Sequence, residues 1–208
     1  MLDQNGAVRP VLGVAASATL GDPILSGVVS LACTARGCLA KTASSLVSTS
    51  GGTVDAPSGP AIFGEGHVYF PDAQQLAHWH DGALEAIDFT ADGSLLALRP
   101  DGDGLDYAVS RSGATWVEHY SFVDHSVEVL GSAIPANAAL LLDGVTLLAA
   151  DDGVHVLRPD GSETIVATTG VTALVRMGSA YVELVTAQGM WALDPATGNV
   201  FLLPGVPQ

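Results

Sequence analysis

Positive charge is what this sequence most lacks. Seven bases, among which Lys41 is the sole lysine, face 22 carboxylates in 208 residues, a formal net charge of −15. Nucleic-acid binding displaces counterions with clustered Lys and Arg, and so few scattered bases build no such groove. An anionic membrane surface repels the same chain. Charged residues of both signs reach only 14%, against roughly 25% in an average soluble domain. Long apolar runs are missing too: no stretch approaches the ~18 residues that span a bilayer, so no membrane insertion is expected. Disorder is excluded from the other side, because 48% hydrophobic residues can bury a large core.

Cysteine is almost absent. The two that exist lie close together in Cys33-Thr-Ala-Arg-Gly-Cys38. A zinc site needs further Cys or His pairs at set spacing, and none follows. The spacing is also wrong for a CxxC redox motif. A strand-turn-strand bridged by a Cys33–Cys38 disulfide fits best; the alternative is two reduced thiols packed as small apolar residues. The bridge implies an oxidising compartment. Periplasmic or extracellular localisation is therefore expected. No basic-then-apolar leader opens the sequence, so the signal peptide is expected to have been removed.

What is abundant is punctuation. Apolar runs of four to eight residues end in Asp81-Gly82, Asp92-Gly93, Asp101-Gly102, Asp143-Gly144, Asp152-Gly153 and Asp160-Gly161. Such pairs accept the positive φ angles of tight hairpins. The longest uninterrupted run, Ala114 to Leu130, holds 17 residues rich in Trp, Val, Tyr and Phe, which suit a pleated surface. Asp124-His125 then reads as a turn inside it. Ala83 to Asp92 is the one helix candidate, and its alternation suits a strand equally well. The fold class is all-β.

The strands repeat. Residues 139–170 (ALLLDG-VTLLAADDG-VHVLRPDG-SETIVATTG) and 173–205 (ALVRMG-SAYVELVTAQG-MWALDPATG-NVFLLPG) each hold four strands closed by glycine at matching places. Further copies lie at 61–89, 95–132 and, most degraded, 28–59. Four short antiparallel strands in units of roughly 40 residues are the pattern of a β-propeller blade. The chain resembles the β-propeller families as a class and is similar to the alanine-rich propellers exported by soil bacteria. It carries no WD-repeat, kelch or Asp-box signature. That resemblance implies a single small propeller over 1–208, five blades of four antiparallel strands, near 28–59, 60–89, 90–132, 133–170 and 171–208. A sixth, incomplete blade is the alternative. The segment Gly6–Val14 echoes Gly198–Val206 at an offset of 192 residues, so residues 1–27 are expected to supply a closing hairpin and linker that removes a free sheet edge.

Six histidines invite a metal hypothesis. His78 and His80 share one strand face by the period-two rule, with His67 one strand earlier and His155 on a related strand; two imidazoles plus a carboxylate could hold zinc or copper. The simpler reading is solvated histidines on outer strands. Asp101-Gly102-Asp103-Gly104-Leu105-Asp106 resembles a calcium loop, but its twelfth position is Ser112 where an EF-hand has Glu, so a hairpin turn is the better reading. Arg99-Pro100-Asp101-Gly102 and Arg158-Pro159-Asp160-Gly161 read as one turn used twice. No Gly-x-Ser-x-Gly elbow places a nucleophile. The first strands of the later blades (LLALR, ALLLDG, TALVRM) are apolar, where propeller enzymes would place axial ligands. The expectation is a monomeric, non-catalytic binding or scaffold module with no catalytic residue, cofactor or metal. Its partner would be a protein or small molecule and not nucleic acid. The alternative is a metal-dependent or lactonase/hydrolase-type propeller enzyme acting at the axial channel.

Overall fold

The computed structural model describes residues 2, 5–12, 19–34, 37–131, 133–177 and 181–203. A short hairpin, β1 (Val11–Leu12) with β2 (Thr19–Leu20), precedes five four-stranded antiparallel sheets. The first sheet holds β3 (Val28–Thr34), β4 (Gly37–Thr42), β5 (Ser45–Ser48) and β6 (Thr53–Asp55). The second holds β7 (Ile62–Gly64), β8 (His67–Phe70), β9 (Gln75–His80) and β10 (Ala83–Ile87), with one 3-10 turn at Pro71–Ala73. The third runs β11 (Ser94–Asp101), β12 (Gly104–Arg111), β13 (Ala114–Ser121) and β14 (Val127–Val129). The fourth runs β15 (Ala138–Leu142), β16 (Val145–Ala150), β17 (Gly153–Leu157) and β18 (Glu163–Val166). The fifth runs β19 (Val171–Met177), β20 (Tyr181–Thr186), β21 (Gly189–Leu193) and β22 (Val200–Leu202). Each sheet is a simple meander in chain order. The fold is a five-bladed β-propeller.

Two compact units share these sheets: Met1–Thr90 holds the first two and Ala91–Gln208 the other three. The ambiguous stretch Ala83 to Asp92 is strand over Ala83–Ile87, paired to β9. In the first unit the described N-terminal residues pair locally. Val8 bridges Leu2 and Leu25, and the Val28 N–H donates to the Gly6 carbonyl at 2.9 Å. Val8 packs with Val28 and Ala40. The ends of the 192-residue echo, Gly13, Val14 and residues 204–206, lie outside the described residues.

The core sits between sheets. In the second unit, Leu147, Ala149, Val154 and Val156 of the fourth sheet pack on Val171, Leu174, Val182 and Leu184 of the fifth. The other face of the fourth sheet gives Ala139, Leu141 and Leu148 to a cluster with Ala97, Ala108 and Val117 of the third. A sheet covered on both faces needs near-continuous apolar strands, so the period-two pattern fades. That is why β12 and β16 read as runs, and why the apolar first strands serve inter-sheet packing. Three first strands share a β-bulge near their start, at Val28/Ser30, Leu95/Ala97 and Val171/Ala173. The extra residue increases local twist at the same place in each sheet. Gly153 opens β17 at φ +146°, where a Cβ would stand 2.4 Å from the Val166 carbonyl oxygen, so only glycine fits that turn.

Cys33 and Cys38 are register partners on β3 and β4, and the structure joins them with an S–S bond and a Cα separation of 4.0 Å. Lys41, on β4 of the same sheet, is wholly covered. It lies between Ser30 and Leu46 in register, and its Nζ donates to the Thr42 carbonyl at 2.5 Å. Among the described residues no carboxylate pairs with it. Burial therefore pushes the ammonium pKa below its ordinary value.

Two outcomes follow for this unit. The Cys33→Ser/Cys38→Ser double variant should lose about 2 kcal/mol, since the closed loop is short. Native protein should also weigh about 2 Da less than its reduced form by intact mass, and two free thiols in freshly purified native protein would reject the bridge. Lys41→Met should gain about 1–3 kcal/mol at neutral pH, the cost of a poorly partnered buried polar group. With a depressed folded-state pKa, wild type loses stability as pH falls from the unfolded value near 10.5. The gain should therefore shrink as denaturation is measured at higher pH, and a pH-independent gain would refute the assignment.

Candidate functional site

The third sheet gathers most of the polar groups, and cross-strand register explains how. Arg99, Asp106 and His119 form one rung across β11, β12 and β13, so their side chains leave the same face. Arg99 Nη2 donates to Asp106 Oδ2 at 2.5 Å, and His119 Nδ1 lies 2.8 Å from Asp106 Oδ1. Arg99 Nη1 continues into the fourth sheet, donating to the Leu142 carbonyl at 2.9 Å and to Asp143 Oδ1 at 3.2 Å. Gly104 makes room, because a Cβ there would stand 2.5 Å from His119 Cε1.

The next rung leaves the opposite face. Tyr107 and Glu118 are register partners, and the Tyr107 hydroxyl donates to Glu118 Oε2 at 2.7 Å. Arg111, on the same face of β12, donates to Glu118 Oε1 and stacks over Trp116 with its guanidinium carbon 5.5 Å from the ring centre. Burial alone would raise the Glu118 pKa, but the Arg111 and Tyr107 bonds outweigh it and hold it below the usual carboxylate range. Burial and the Glu118 charge push the Tyr107 phenol well up. Both groups are fixed in one protonation state near neutrality, which suits a structural pair.

In the fourth sheet, His155 is buried on β17 between two carboxylates: Nδ1 meets Glu163 of β18, and Nε2 lies 2.8 Å from Asp152 Oδ1. Burial pulls its pKa down, while these two partners pull it up and win. His155 is thus an ion-paired structural group. The other sequence candidates, His67, His78 and His80, belong to the second sheet, in the first unit. His67 and His78 face each other across β8 and β9 with ring centres 4.9 Å apart, and His78 and His80 are 5.9 Å apart. The three imidazoles share one face, as period two requires, with their planes tilted by 32° and 36°. Burial, joined by the neighbouring His78, lowers the His67 pKa.

Among the described residues, the group whose ligand atoms come within 4.8 Å of one another is Asp101, Asp106 and His119. Those residues do not suit a cation. Both Asp106 oxygens are already taken, one by the Arg99 guanidinium and one by His119, and a metal ion would have to displace a fixed positive charge. Asp101 to Gly104 is the β11–β12 hairpin, as the turn reading of that segment expects. The two Arg-Pro-Asp-Gly segments are not one turn used twice: the first joins first and second strands, the second joins third and fourth. Both arginines nonetheless reach the next sheet, since Arg158 Nη2 donates to the Pro195 carbonyl at 3.0 Å. Sequence reading missed the Arg99–Asp106–His119 and Tyr107–Glu118–Arg111 groups. The signal was available: two residues back from the Asp101–Gly104 turn, Arg99 must face Asp106.

No protein-family model matches the sequence, and no curated protein matches it. Solved structures do. The chain is similar to a structure in a nidogen/laminin complex, with TM-score 0.66, 11% identity, and coverage of 90% of this chain and 83% of that one. It is similar to the WD40 domain of Neurospora crassa Pan2 at TM-score 0.56 and 12% identity, covering 92% and 69%. It is also similar to Kluyveromyces lactis Hsv2 at TM-score 0.54 and 14% identity, covering 83% of this chain but only 62% of Hsv2. These likenesses establish the propeller fold. No helix among the described residues is long and apolar enough to cross a membrane.

The His155 group makes a pH prediction. Its folded pKa lies above the ordinary 6.5, so the stability it contributes is full below that value and is lost as pH rises through the raised pKa. Denaturant midpoints measured from pH 6 upward should fall in this window for wild type. His155→Gln should flatten that slope, and an unchanged slope would remove the paired-imidazole assignment.

Proposed function

We propose that this protein is a non-catalytic binding or scaffold module, exported to the periplasm or cell exterior, that engages a protein partner through the outer strands of its second unit. The observation carrying this reading is the set of exposed apolar side chains there: Val127 and Val129 on β14, Ile165 on β18, and Phe201 and Leu202 on β22. Glu128 and Glu163 lie among them, and the chain carries 22 acids against 7 bases. Exposed apolar side chains on an acidic chain suit a partner that offers apolar and cationic groups. The buried carboxylates Asp106 and Glu118 are already tied to guanidinium groups, which favours a structural role for them. The nidogen/laminin structure is of a complex, which agrees with a binding role without naming a partner here. Export rests on the Cys33–Cys38 pair, because such bridges persist in oxidising compartments.

The discriminating experiment has two arms. In the first, the immobilised chain and its Val129→Lys/Phe201→Lys variant are exposed to exported proteins of the source cell. One partner retained by wild type, and lost from a variant that melts normally, is the expected result. In the second, lactone and ester hydrolysis is assayed with added zinc or calcium. Turnover abolished by Asp106→Asn or His119→Gln would replace the binding reading with the metal-dependent enzyme.

A further inference from the structure

The histidines of the second sheet are not simply solvated. His67 and His78 are half-buried, and only His80 is exposed. His78 and His80 stand two residues apart on β9, and His67 of β8 is the register partner of His78. Two imidazoles on one tetrahedral ion have ring centres about 5 Å apart, given metal–nitrogen bonds of ~2.1 Å. The His67–His78 and His78–His80 separations, 4.9 and 5.9 Å, fall on either side of that value. One nitrogen from each ring does not yet lie within 4.8 Å of the other two, so binding requires rotation about the side-chain torsions. His80, with 69% of its side chain exposed, has room to turn.

The surroundings supply what imidazole ligands require. Asp81 Oδ2 lies 3.3 Å from His80 Nδ1, and a hydrogen bond with the Glu65 backbone engages the His67 ring. Carboxylates and carbonyls so placed fix the tautomer and orientation of a ligating ring. Gly66, at φ +80° in the β7–β8 turn, keeps the edge of His78 open, since a Cβ there would stand 3.5 Å from Nε2. Metal binding needs neutral imidazole, and burial with the neighbouring His78 holds the His67 pKa below its ordinary value. We propose that His67, His78 and His80 bind one divalent transition-metal ion, zinc or copper, with a coordination position left for water or an outside donor. Nitrogen donors select these ions over calcium and magnesium, which prefer oxygen. The site belongs to the first unit. It is separate from the outer strands of the second and stands whether or not a protein partner exists.

The test uses the full chain, stripped of metal by a chelator and held near neutral pH, with zinc and copper chlorides as probes and calcium chloride as control. Calorimetry should show saturable binding of one Zn²⁺ per chain, and Cu²⁺ should displace it, as the general affinity order requires. Zinc should shift the histidine ring signals of His67, His78 and His80 and leave those of His119, His125 and His155 in place. His80→Ala, a change at an exposed position, should weaken zinc binding about tenfold or more. Asp81→Asn should weaken it about tenfold, through the orientation of His80. Zinc shifts confined to His119, His125 or His155, calcium competing on equal terms, an affinity unchanged by His80→Ala, or no saturable binding up to about 1 mM zinc would each overturn the proposal. The ring-signal measurement needs no variant, so the proposal stays testable if a substitution unfolds the chain.

Discussion

Face-to-face packing between consecutive sheets is the constraint on which the rest depends. A four-stranded meander of this size cannot bury enough surface alone. In the second unit, the fourth sheet gives one face to the third and the other to the fifth. Both faces of β16 must then be apolar, and the strand has no solvent side on which to place charge. This accounts for the low charge content better than any functional argument does. Charge is pushed to the turns and outer strands, where Asp-Gly pairs set the hairpins.

In the third sheet the charged groups that enter the interior arrive paired across strands. Arg99, Asp106 and His119 share one rung, and Tyr107 and Glu118 share the next on the opposite face. Removing one member would leave a buried charge unmatched, which costs far more than the pair contributes. Such rungs also fix register, because a one-residue slip would turn every charge to the wrong face. Arg99 and Arg158 extend this to the level of neighbouring sheets by bonding carbonyls across the gap.

Much of the fold was legible in the sequence because hairpin turns have a chemistry of their own. Asp-Gly pairs at Asp81-Gly82, Asp101-Gly102, Asp143-Gly144 and Asp152-Gly153 coincide with hairpins, and the five four-strand copies match the five sheets. Ala83–Ile87 resolved as a strand, since its alternation matched β9. The site was less legible. His67, His78 and His80 do share a face, as period two required, yet an expected face says nothing of partners. Lys41 gave no sign that it would be wholly covered, because burial depends on tertiary packing that its local sequence does not encode. The shared bulges at Val28/Ser30, Leu95/Ala97 and Val171/Ala173 were invisible too: the residues differ at each, and only backbone geometry repeats.

The covered position of Lys41 has a chemical consequence. Lysine-directed acylating and cross-linking reagents need a neutral, accessible amine, and the one lysine side chain of this protein is out of their reach while its sheet is intact. The folded protein therefore offers no side-chain amine for such chemistry. Acylation at Lys41 would instead report each opening of the first sheet, so a slow labelling rate would measure the local unfolding of that sheet directly.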